Sequence, residues 1–275
     1  MSISNIMNVV DKKYNFLKPI KNSNLIRLGR NLDGGYIVDS SIIQKCDTLI
    51  TFGLGPDWSF ELDYIKKNNQ IKIYMYDYTV SSYPYIKEII KYLRRFLTFR
   101  SSFEAVSTRF KYLNNYRSFL GLKNVFFFKE KITYPIKNKI DTDITRVFSR
   151  LPKEKKVILK SDIEGSEHDV IDQILKYSER IEMLIFEFHW IDKFEETFLR
   201  SVKKLQEHFN IIHIHGNNHF EKLPTGLPII IEMTLLNKKY NKNNKNEYVT
   251  KFPVKGLDYP NNPYKEDLVF TFSSN

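Results

Sequence analysis

Apolar runs of strand length alternate with helix-like runs along most of the chain. The apolar runs cover residues 47–53, 71–77, 124–130, 156–162, 181–189, 210–216 and 227–236. The helix-like stretches cover residues 58–68, 85–118, 166–178 and 193–209. This alternation predicts parallel strands that are joined by helical crossovers, with helices on both faces of one sheet.

The last two predicted strands break this pattern. Residues 216–227, which connect them, are too few for a crossover helix, so these strands are expected to pair as an antiparallel hairpin. Five parallel strands followed by a C-terminal antiparallel hairpin is the layout of the class I methyltransferase (Rossmann-like) α/β sheet. A plain dinucleotide-binding fold would not end in this way.

Length and composition predict one globular domain. The chain has 275 residues, of which 42% are hydrophobic and 15% aromatic, far from the profile of a disordered chain. We expect a single methyltransferase domain, residues 1–275, with a helical insertion at about 82–120 and a C-terminal tail from about 240. Cys46 is the only cysteine, which excludes an internal disulfide and a cysteine-based zinc cluster.

Hydropathy and charge bear on location and partners. No window approaches 18 uninterrupted apolar residues and the start resembles no secretion signal, so we expect a cytoplasmic protein without a membrane span. The formal charge of +11 permits nucleic acid, anionic lipid or phosphorylated partners.

Residues 85–99 predict an amphipathic basic helix. Core packing is the favoured interpretation of its apolar stripe, and peripheral membrane association is the alternative.

Candidate chemistry lies where the predicted strands end, because ligands of open α/β sheets bind at the carboxyl ends of the strands. The first strand ends in Gly53-Leu54-Gly55, where glycine lets the backbone turn tightly. The second ends in Asp77, 22 residues after Gly55 and close to the ~20-residue interval at which an acid binds a nucleotide ribose. Pro56 and the missing third glycine disfavour a pyrophosphate-binding NAD site. We predict that Gly53, Leu54, Gly55, Asp77 and Tyr78 contact a cofactor.

Several motifs together resemble the FkbM-type family of S-adenosylmethionine-dependent methyltransferases. They are NLDGGYIV (31–38), TFGLGPDWSFE (51–61), LKSDIEGSEHDVI (159–171), LIFEFH (184–189) and LDYPNNPYKEDL (257–268). The most specific is the Lys-x-Asp-x-Glu-Gly-x-Glu run that follows the fourth strand. The glycine loop departs from the family, whose members more often have Asp-Val-Gly-Ala there. The resemblance implies S-adenosyl-L-methionine as cofactor and O-methylation of a small-molecule or glycan acceptor.

The run KSDIEGSEH (160–168) supplies two predicted site acids. Asp162 ends the fourth strand and is expected to attract the cationic amino and sulfonium groups of the cofactor. Glu164 lies at the following turn, where Gly165 lets the chain bend, and both acids are catalytic candidates. Ser166 and Glu167 are interpreted as a helix cap with an acid at the positive helix end.

His189, at the end of the fifth strand, is the candidate general base, because an unperturbed imidazole can accept a proton near neutral pH. A histidine hydrogen-bonded at a strand end explains it equally well. Strand alternation puts Glu187 on the same face, where it would orient the imidazole or satisfy a backbone group. The turn from Asp33 to Tyr36 either folds over the cofactor or is an ordinary Asp-Gly-Gly turn.

Polar residues after the sixth strand give the remaining candidates. His215 and Asn217 are predicted to contact the substrate. A metal bound by His213 and His215 with Asp162, Glu164 or His189 is an alternative, but these histidines should lie far from the cofactor, and no metal is assigned.

The function predicted from the sequence is S-adenosylmethionine-dependent O-methylation of a hydroxyl on a saccharide, sugar nucleotide or related metabolite. A nucleic-acid methyltransferase, or a basic nucleic-acid-binding protein on the same fold, is the alternative that the net charge raises. Nucleic acid is the less favoured partner, because the chain has no Asn-Pro-Pro-Tyr type motif. A catalytically silent member of an assembly ranks third.

Overall fold

The structure, a computed structural model, describes residues 8–240 and 247–273. The predicted C-terminal tail therefore begins, in part, on residues 241–246, which lie outside the described residues.

Short strands and seven helices alternate along the described ranges. The strands are β1 (Val9–Val10), β2 (Leu25–Leu28), β3 (Tyr36–Asp39), β4 (Thr48–Phe52), β5 (Lys72–Tyr76), β6 (Val125–Phe128), β7 (Lys131–Ile132), β8 (Asp141–Thr142), β9 (Val157–Ser161), β10 (Ile181–Phe188), β11 (Phe209–Gly216), β12 (Ile231–Asn237), β13 (Lys251–Phe252) and β14 (Phe270–Phe272). The helices are α1 (Ser40–Ile43), α2 (Ser59–Lys67), α3 (Tyr83–Leu97), α4 (Phe103–Leu120), α5 (Ile144–Ser149), α6 (Glu167–Leu175) and α7 (Ile191–His208). Two 3-10 helices cover Lys12–Leu17 and Lys238–Tyr240.

A seven-stranded sheet in the order β11-β12-β10-β9-β4-β5-β6 forms the centre of the molecule. Strands β10, β9, β4, β5 and β6 pair in parallel, whereas β12 pairs antiparallel with both β10 and β11. The predicted C-terminal hairpin is confirmed. In order of appearance along the chain, this is the 6-7-5-4-1-2-3 arrangement of a class I methyltransferase, and the chain has that Rossmann-like fold.

Both faces of the sheet are covered because its strands are apolar on both sides. Along β4, Leu49 and Ile50 enter two different apolar clusters on opposite faces. The cluster that contains Ile50 includes buried residues of α5, α6 and α7. The cluster that contains Leu49 includes residues of α1, α2 and α4. Such near-continuous apolar strands are typical of a parallel sheet between two helical layers.

Several short elements were not predicted from the hydrophobic pattern. β2 and β3 form an antiparallel hairpin around the Asp-Gly-Gly turn. β14 pairs in parallel with β1 and antiparallel with β13, which brings the C-terminal segment against the start of the described chain. β7 and β8 pair after the end of β6. Two- to four-residue strands bury too few side chains to leave a periodic signal.

The two helices α3 and α4 lie between β5 and β6 and pack together through Ile89, Leu113 and Tyr116. The ring of Tyr85 stacks on that of Tyr116 with their centroids 5.0 Å apart. No helix within the described ranges is long and apolar enough to cross a membrane.

Candidate functional site

Hydrogen bonds join the glycine loop after β4 to the acid after β5. Asp77 Oδ2 accepts from the backbone N–H groups of Leu54 and Gly55, at 2.9 and 3.1 Å. Its Oδ1 accepts from the backbone N–H and hydroxyl of Thr79, at 2.8 and 2.6 Å. Burial disfavours the charge of Asp77, but these hydrogen bonds outweigh burial and lower the pKa of its carboxyl group. Asp77 therefore fixes the glycine loop, and a ribose contact stays a prediction.

The two glycines of this loop differ in what surrounds them. Both have positive φ, +74° at Gly53 and +61° at Gly55. A Cβ on Gly53 would lie 1.7 Å from the backbone oxygen of Asp162, whereas a Cβ on Gly55 would meet no atom within 4 Å. Gly53 lets the loops that follow β4 and β9 touch, and Gly55 borders open space.

A cavity of about 230 Å³ opens beside these loops at the carboxyl edge of the sheet. Its lining comes from the segments that follow four neighbouring strands, β9, β4, β5 and β6. They contribute Gly53, Tyr76, Asp77, Tyr78, Thr79, Glu130, Lys131, Ile132, Asp162, Ile163, Glu164 and Ser166. The structure thus brings together the predicted residues Gly53, Asp77, Tyr78, Asp162 and Glu164. Leu54 is buried in the apolar core and borders the site through its backbone.

The turn after β9 holds a strained residue. Glu164 has a φ of +56° and Gly165 a φ of +104°, and a left-handed non-glycine residue is uncommon outside functional or tightly constrained turns. Glu167, which is fully buried, accepts from the backbone N–H groups of Ile163 and Gly165, at 3.0 to 3.2 Å. Ser166 is the N-cap of α6 but makes no side-chain cap hydrogen bond. Glu167 therefore holds this turn in its bent form.

His189 lies beside this turn with carboxylates on both sides of its ring. Nδ1 lies 3.0 Å from Glu167 Oε1, and Nε2 lies 3.8 Å from Asp162 Oδ1 and 3.7 Å from Glu164 Oε2. Burial lowers the pKa of His189, but the hydrogen bond to Glu167 and the charge of Glu187 outweigh it and raise the pKa to about 9. The imidazole is therefore protonated at neutral pH, because its environment is far more negative than that of an unperturbed histidine.

Asp162, Glu187 and His189 form a compact group whose candidate ligand atoms lie within 4.8 Å of one another. This spacing could hold a divalent cation. Each group also has a protein partner: the Tyr36 hydroxyl donates to Asp162 Oδ2 at 3.0 Å, and Asn217 Nδ2 donates to Glu187 Oε1 at 2.6 Å. Burial raises the pKa of Glu187 well above its ordinary value, and the charge of Asp162 raises it further. No metal is assigned to this group.

A second acidic group extends the site toward the C-terminal segment. One carboxylate oxygen from each of Asp33, Glu187 and Glu232 lies within 4.8 Å of the others. Asn261 Nδ2 donates to Glu232 Oε1 at 2.6 Å and lies 3.4 Å from Asp33 Oδ1. Burial is the main cause that raises the pKa of Tyr36, and the surrounding acids raise it further. The group of Asp33, Glu187 and Glu232 is therefore an acidic, hydrogen-bonded cluster.

The two predicted substrate residues behave differently. Asn217 joins the site through Glu187, as described above. His215 is buried, and both of its ring nitrogens are engaged: Nδ1 lies 3.1 Å from Glu232 Oε2, and Nε2 lies 3.0 Å from Asp267 Oδ1. His213 Nε2 lies 2.8 Å from Asp258 Oδ1. Neither histidine joins Asp162, Glu164 or His189 in the metal-ligand groups found among the described residues.

Sequence reasoning missed part of this site. The sequence position of Glu167 indicates a helix-end acid, yet its side chain is the one that contacts His189 Nδ1. Glu187 contacts that ring through its backbone oxygen, at 3.1 Å, and not through its side chain. The Lys160 ammonium lies 3.4 Å from the Gly53 oxygen and 4.7 Å from the Tyr36 ring centre. The lysine of the Lys-x-Asp-x-Glu-Gly run was the only sequence signal for this contact.

Comparisons with known proteins add little to this picture. No protein-family model matches the chain, and no curated protein matches it. Among solved structures, the fibrillarin pre-rRNA processing protein of Methanococcus jannaschii is 11% identical, with 71% of this chain and 68% of that chain covered, at a TM-score of 0.37. A dimethyladenosine transferase from Plasmodium falciparum is 9% identical, with 80% and 64% covered, at a TM-score of 0.36. A precorrin-6y C5,15-methyltransferase from Geobacter metallireducens is 8% identical, with 72% and 86% covered, at a TM-score of 0.34. Because these TM-scores are low, the fold assignment rests on the strand order of the sheet itself.

Proposed function

We propose that the protein is an S-adenosylmethionine-dependent O-methyltransferase of the FkbM type, which methylates a hydroxyl of a saccharide, sugar nucleotide or related metabolite. The observation that carries the proposal is the cavity at the carboxyl edge of the sheet, bounded by Asp77 after β5 and by Asp162 after β9. In open α/β sheets this edge is where ligands bind.

The residues around the cavity fit the cofactor. Gly53 and Asp77 line this cavity, and Asp77 holds the glycine loop in place, with open space beside Gly55. Asp162 adds a carboxylate at the opposite side, which favours a cationic group by charge attraction. S-adenosylmethionine would supply an activated methyl group on a sulfonium and needs no phosphate-binding loop. In this proposal, Asp77 and Asp162 hold a nucleoside-bearing cofactor without a third glycine.

The acceptor hydroxyl needs a group that takes its proton. His189 is protonated at neutral pH, so its proposed role there is to hold the carboxylates of Asp162 and Glu164 by charge attraction. The Glu164 side chain is 79% exposed, whereas that of His189 is 5% exposed. Glu164 is therefore open to both an incoming acceptor and solvent. We assign proton acceptance to the pair Asp162 and Glu164, with His189 as a base only above about pH 9.

The charge around Asp162 supports a neutral hydroxylated group at the transfer point. The carboxylates of Asp162 and Glu164 line the cavity here, with the buried Glu187 and Asn217 behind them, and carboxylates hydrogen-bond sugar hydroxyls well. A second cavity, of about 450 Å³, lies between Gly55 and the helices α3 and α4 and contains Arg109. Because Thr79 lines both cavities, an acceptor could place a hydroxyl near Asp162 and an anionic group near Arg109.

A nucleic-acid acceptor is less well supported. Its phosphates would meet Asp162, Glu164 and Asp33 close to the transfer point, where like charges repel. More than half of the net positive charge that would favour nucleic acid lies on the segment of α3 and α4. Steep salt dependence of RNA binding together with methyl transfer to RNA would support this second candidate.

Calorimetric titration with S-adenosylmethionine, S-adenosylhomocysteine and NAD tests the cofactor. We expect saturable binding of the first two and none of NAD. The Asp77→Ala variant should bind about 10-fold or more weakly, because the loop loses the acceptor of two backbone hydrogen bonds. Asp47→Ala is the matched control, since Asp47 lies at the amino end of β4, away from the cavity. If the folded protein bound neither S-adenosylmethionine nor S-adenosylhomocysteine, the proposal would be refuted.

The activity test is a panel of neutral saccharides, amino sugars and sugar nucleotides, each with and without a divalent cation. We expect transfer to a hydroxyl and a large loss of turnover in Glu164→Gln. If His189 were the base in place of the carboxylates, activity would rise only as the pH passes about 9 in the wild type, and Glu164→Gln would leave turnover unchanged.

A further inference from the structure

The helical hairpin formed by α3 and α4, residues 83–120, carries more than half of the net positive charge. It contains eight lysines and arginines against two glutamates, a formal charge of +6 out of the +11 of the whole chain. One of the two acids, Glu88, is neutralised by Lys91 at 2.9 Å. The rest of the chain contributes less charge over many more residues, so the hairpin is a local basic surface.

The same hairpin exposes large apolar side chains. They are most exposed near the turn that joins the helices, where Leu97 is 74%, Phe99 98% and Phe103 70% exposed. Five exposed apolar residues also follow one face of α3 at spacings of three and four: Tyr83, Ile86, Ile90, Leu93 and Leu97. Contiguous exposed apolar surface of this kind marks an interaction site more often than a free surface.

The inner face of the hairpin is already used. Ile89, Leu113 and Tyr116 are buried between the helices, and the Arg109 guanidinium lies 3.9 Å from the centre of the Tyr92 ring. The exposed stripe of α3 is therefore not part of the packing that holds the hairpin together. At about 100° per residue, Lys87, Lys91 and Arg94 lie along one flank of that stripe.

We propose that this hairpin docks the protein on an anionic membrane surface, with α3 in the plane of the interface and the turn around Phe99 inserted among the lipid headgroups. An apolar stripe flanked by lysine and arginine is the arrangement of an interfacial helix. Each basic residue near an anionic leaflet adds attraction, and aromatic and leucine side chains enter the interface. The proposal is independent of the methyl-transfer activity.

Two other occupants fit less well. A second copy of the chain would have to pair the same surface with itself in a two-fold dimer, which would bring two +6 hairpins together. Nucleic acid would satisfy the arginines but would leave Leu93, Leu97 and Phe99 without an apolar partner. An anionic lipid surface satisfies both the charge and the apolar side chains.

Vesicle co-sedimentation of the full chain tests the proposal, with phosphatidylcholine vesicles prepared with and without phosphatidylglycerol. We expect binding to the anionic vesicles. Arg94→Glu with Arg95→Glu should weaken it by about 25-fold or more, since each basic residue near such a surface contributes about 5-fold. Leu97→Ser with Phe99→Ser should weaken it by about 10-fold or more, because less apolar surface is buried. All four side chains are exposed, so the variants should fold.

Matched controls separate the hairpin from general effects of charge or exposed apolar surface. Lys153→Glu with Lys255→Glu makes the same change in net charge at exposed positions elsewhere, and Tyr264→Ser removes an aromatic ring that is 95% exposed. Both controls should bind vesicles as the wild type does. Equal loss in the controls, no binding to anionic vesicles, or binding to RNA without vesicle binding would each overturn the proposal.

Discussion

Replacing Glu167 by glutamine tests whether this buried acid sets the charge of His189. Glu167 Oε1 lies 3.0 Å from His189 Nδ1, and its carboxylate also accepts from the backbone N–H groups of Ile163 and Gly165. Glutamine keeps the shape of the side chain and one acceptor oxygen but removes the negative charge. Of the contacts that raise the pKa of His189, this hydrogen bond contributes most.

The expected size of the effect follows from that pKa. A hydrogen bond to a charged group contributes about 1.5–3 kcal/mol, which corresponds to a pKa change of about 1–2. The pKa of His189 should therefore fall from about 9 to between ~7 and ~8 in Glu167→Gln. Because the folded pKa lies above the ordinary value of 6.5, protonation of His189 stabilises the fold below pH 6.5. That stabilisation is lost as the pH rises through about 9.

Two measurements check this expectation. The pKa of His189 is followed by NMR titration of its ring protons, assigned with a His189→Asn variant. Urea denaturation near pH 6, 8 and 10 gives the free energy of unfolding of wild type and Glu167→Gln. The gap between the two proteins should narrow by about 1.5–3 kcal/mol between pH 6 and pH 10. A residual gap that does not depend on pH is expected from the weakened backbone contacts.

The matched control is Asp172→Asn on the same helix, whose carboxylate is 70% exposed and lies 2.6 Å from Lys204. It should leave the pKa of His189 unchanged. If Glu167→Gln also leaves that pKa near 9, or if the stability gap stays constant with pH, the assignment of Glu167 as the group that charges His189 is wrong.

Two further predictions concern the glycine loop and the buried histidine of β11. Gly53→Ala should destabilise the fold by more than about 3 kcal/mol, because at positive φ its Cβ would overlap the Asp162 backbone. Gly55→Ala should cost only about 1 kcal/mol of stability and mainly weaken cofactor binding. Equal losses of stability for the two variants in urea denaturation would contradict this. Burial lowers the pKa of His215, but the carboxylates of Asp267 and Glu232 outweigh it and raise the pKa to about 10. His215→Asn should therefore cost about 3–5 kcal/mol near pH 6 and clearly less above pH 10, and a loss that does not change with pH would count against the ion pairs.

The central sheet could be predicted because its strands are buried on both faces and leave continuous apolar runs. The short connection 216–227 was enough to predict the antiparallel hairpin. The meeting of Asp162 with His189 was also predictable, because β9 and β10 are neighbours and their carboxyl ends share one edge. Position along a strand determines which residues reach that edge.

The partners of these residues were not predictable from local pattern. An acid in the first turn of a helix interacts favourably with the helix dipole in any fold, so its presence in α6 indicates no particular partner. Only the folded-back turn at Glu164 brings Glu167 to His189. Glu232 and Asn261 come from distant segments, and their contact depends on how the C-terminal segment crosses the sheet edge. His215 was placed on the correct strand, but its second partner, Asp267, is 52 residues away.

The uneven distribution of charge constrains how the two proposed surfaces work together. The carboxyl edge gathers Asp33, Asp162 and Glu164, whereas the hairpin of α3 and α4 holds +6. An anionic membrane attracts the second region and repels the first, so docking through the hairpin would keep the acidic edge turned away from the lipid headgroups. The Arg109 cavity borders both the hairpin and Gly55, so in a docked protein it would connect the hairpin side of the molecule to the glycine loop. An acceptor that entered from the membrane side would therefore pass basic residues before its hydroxyl reached the carboxylates.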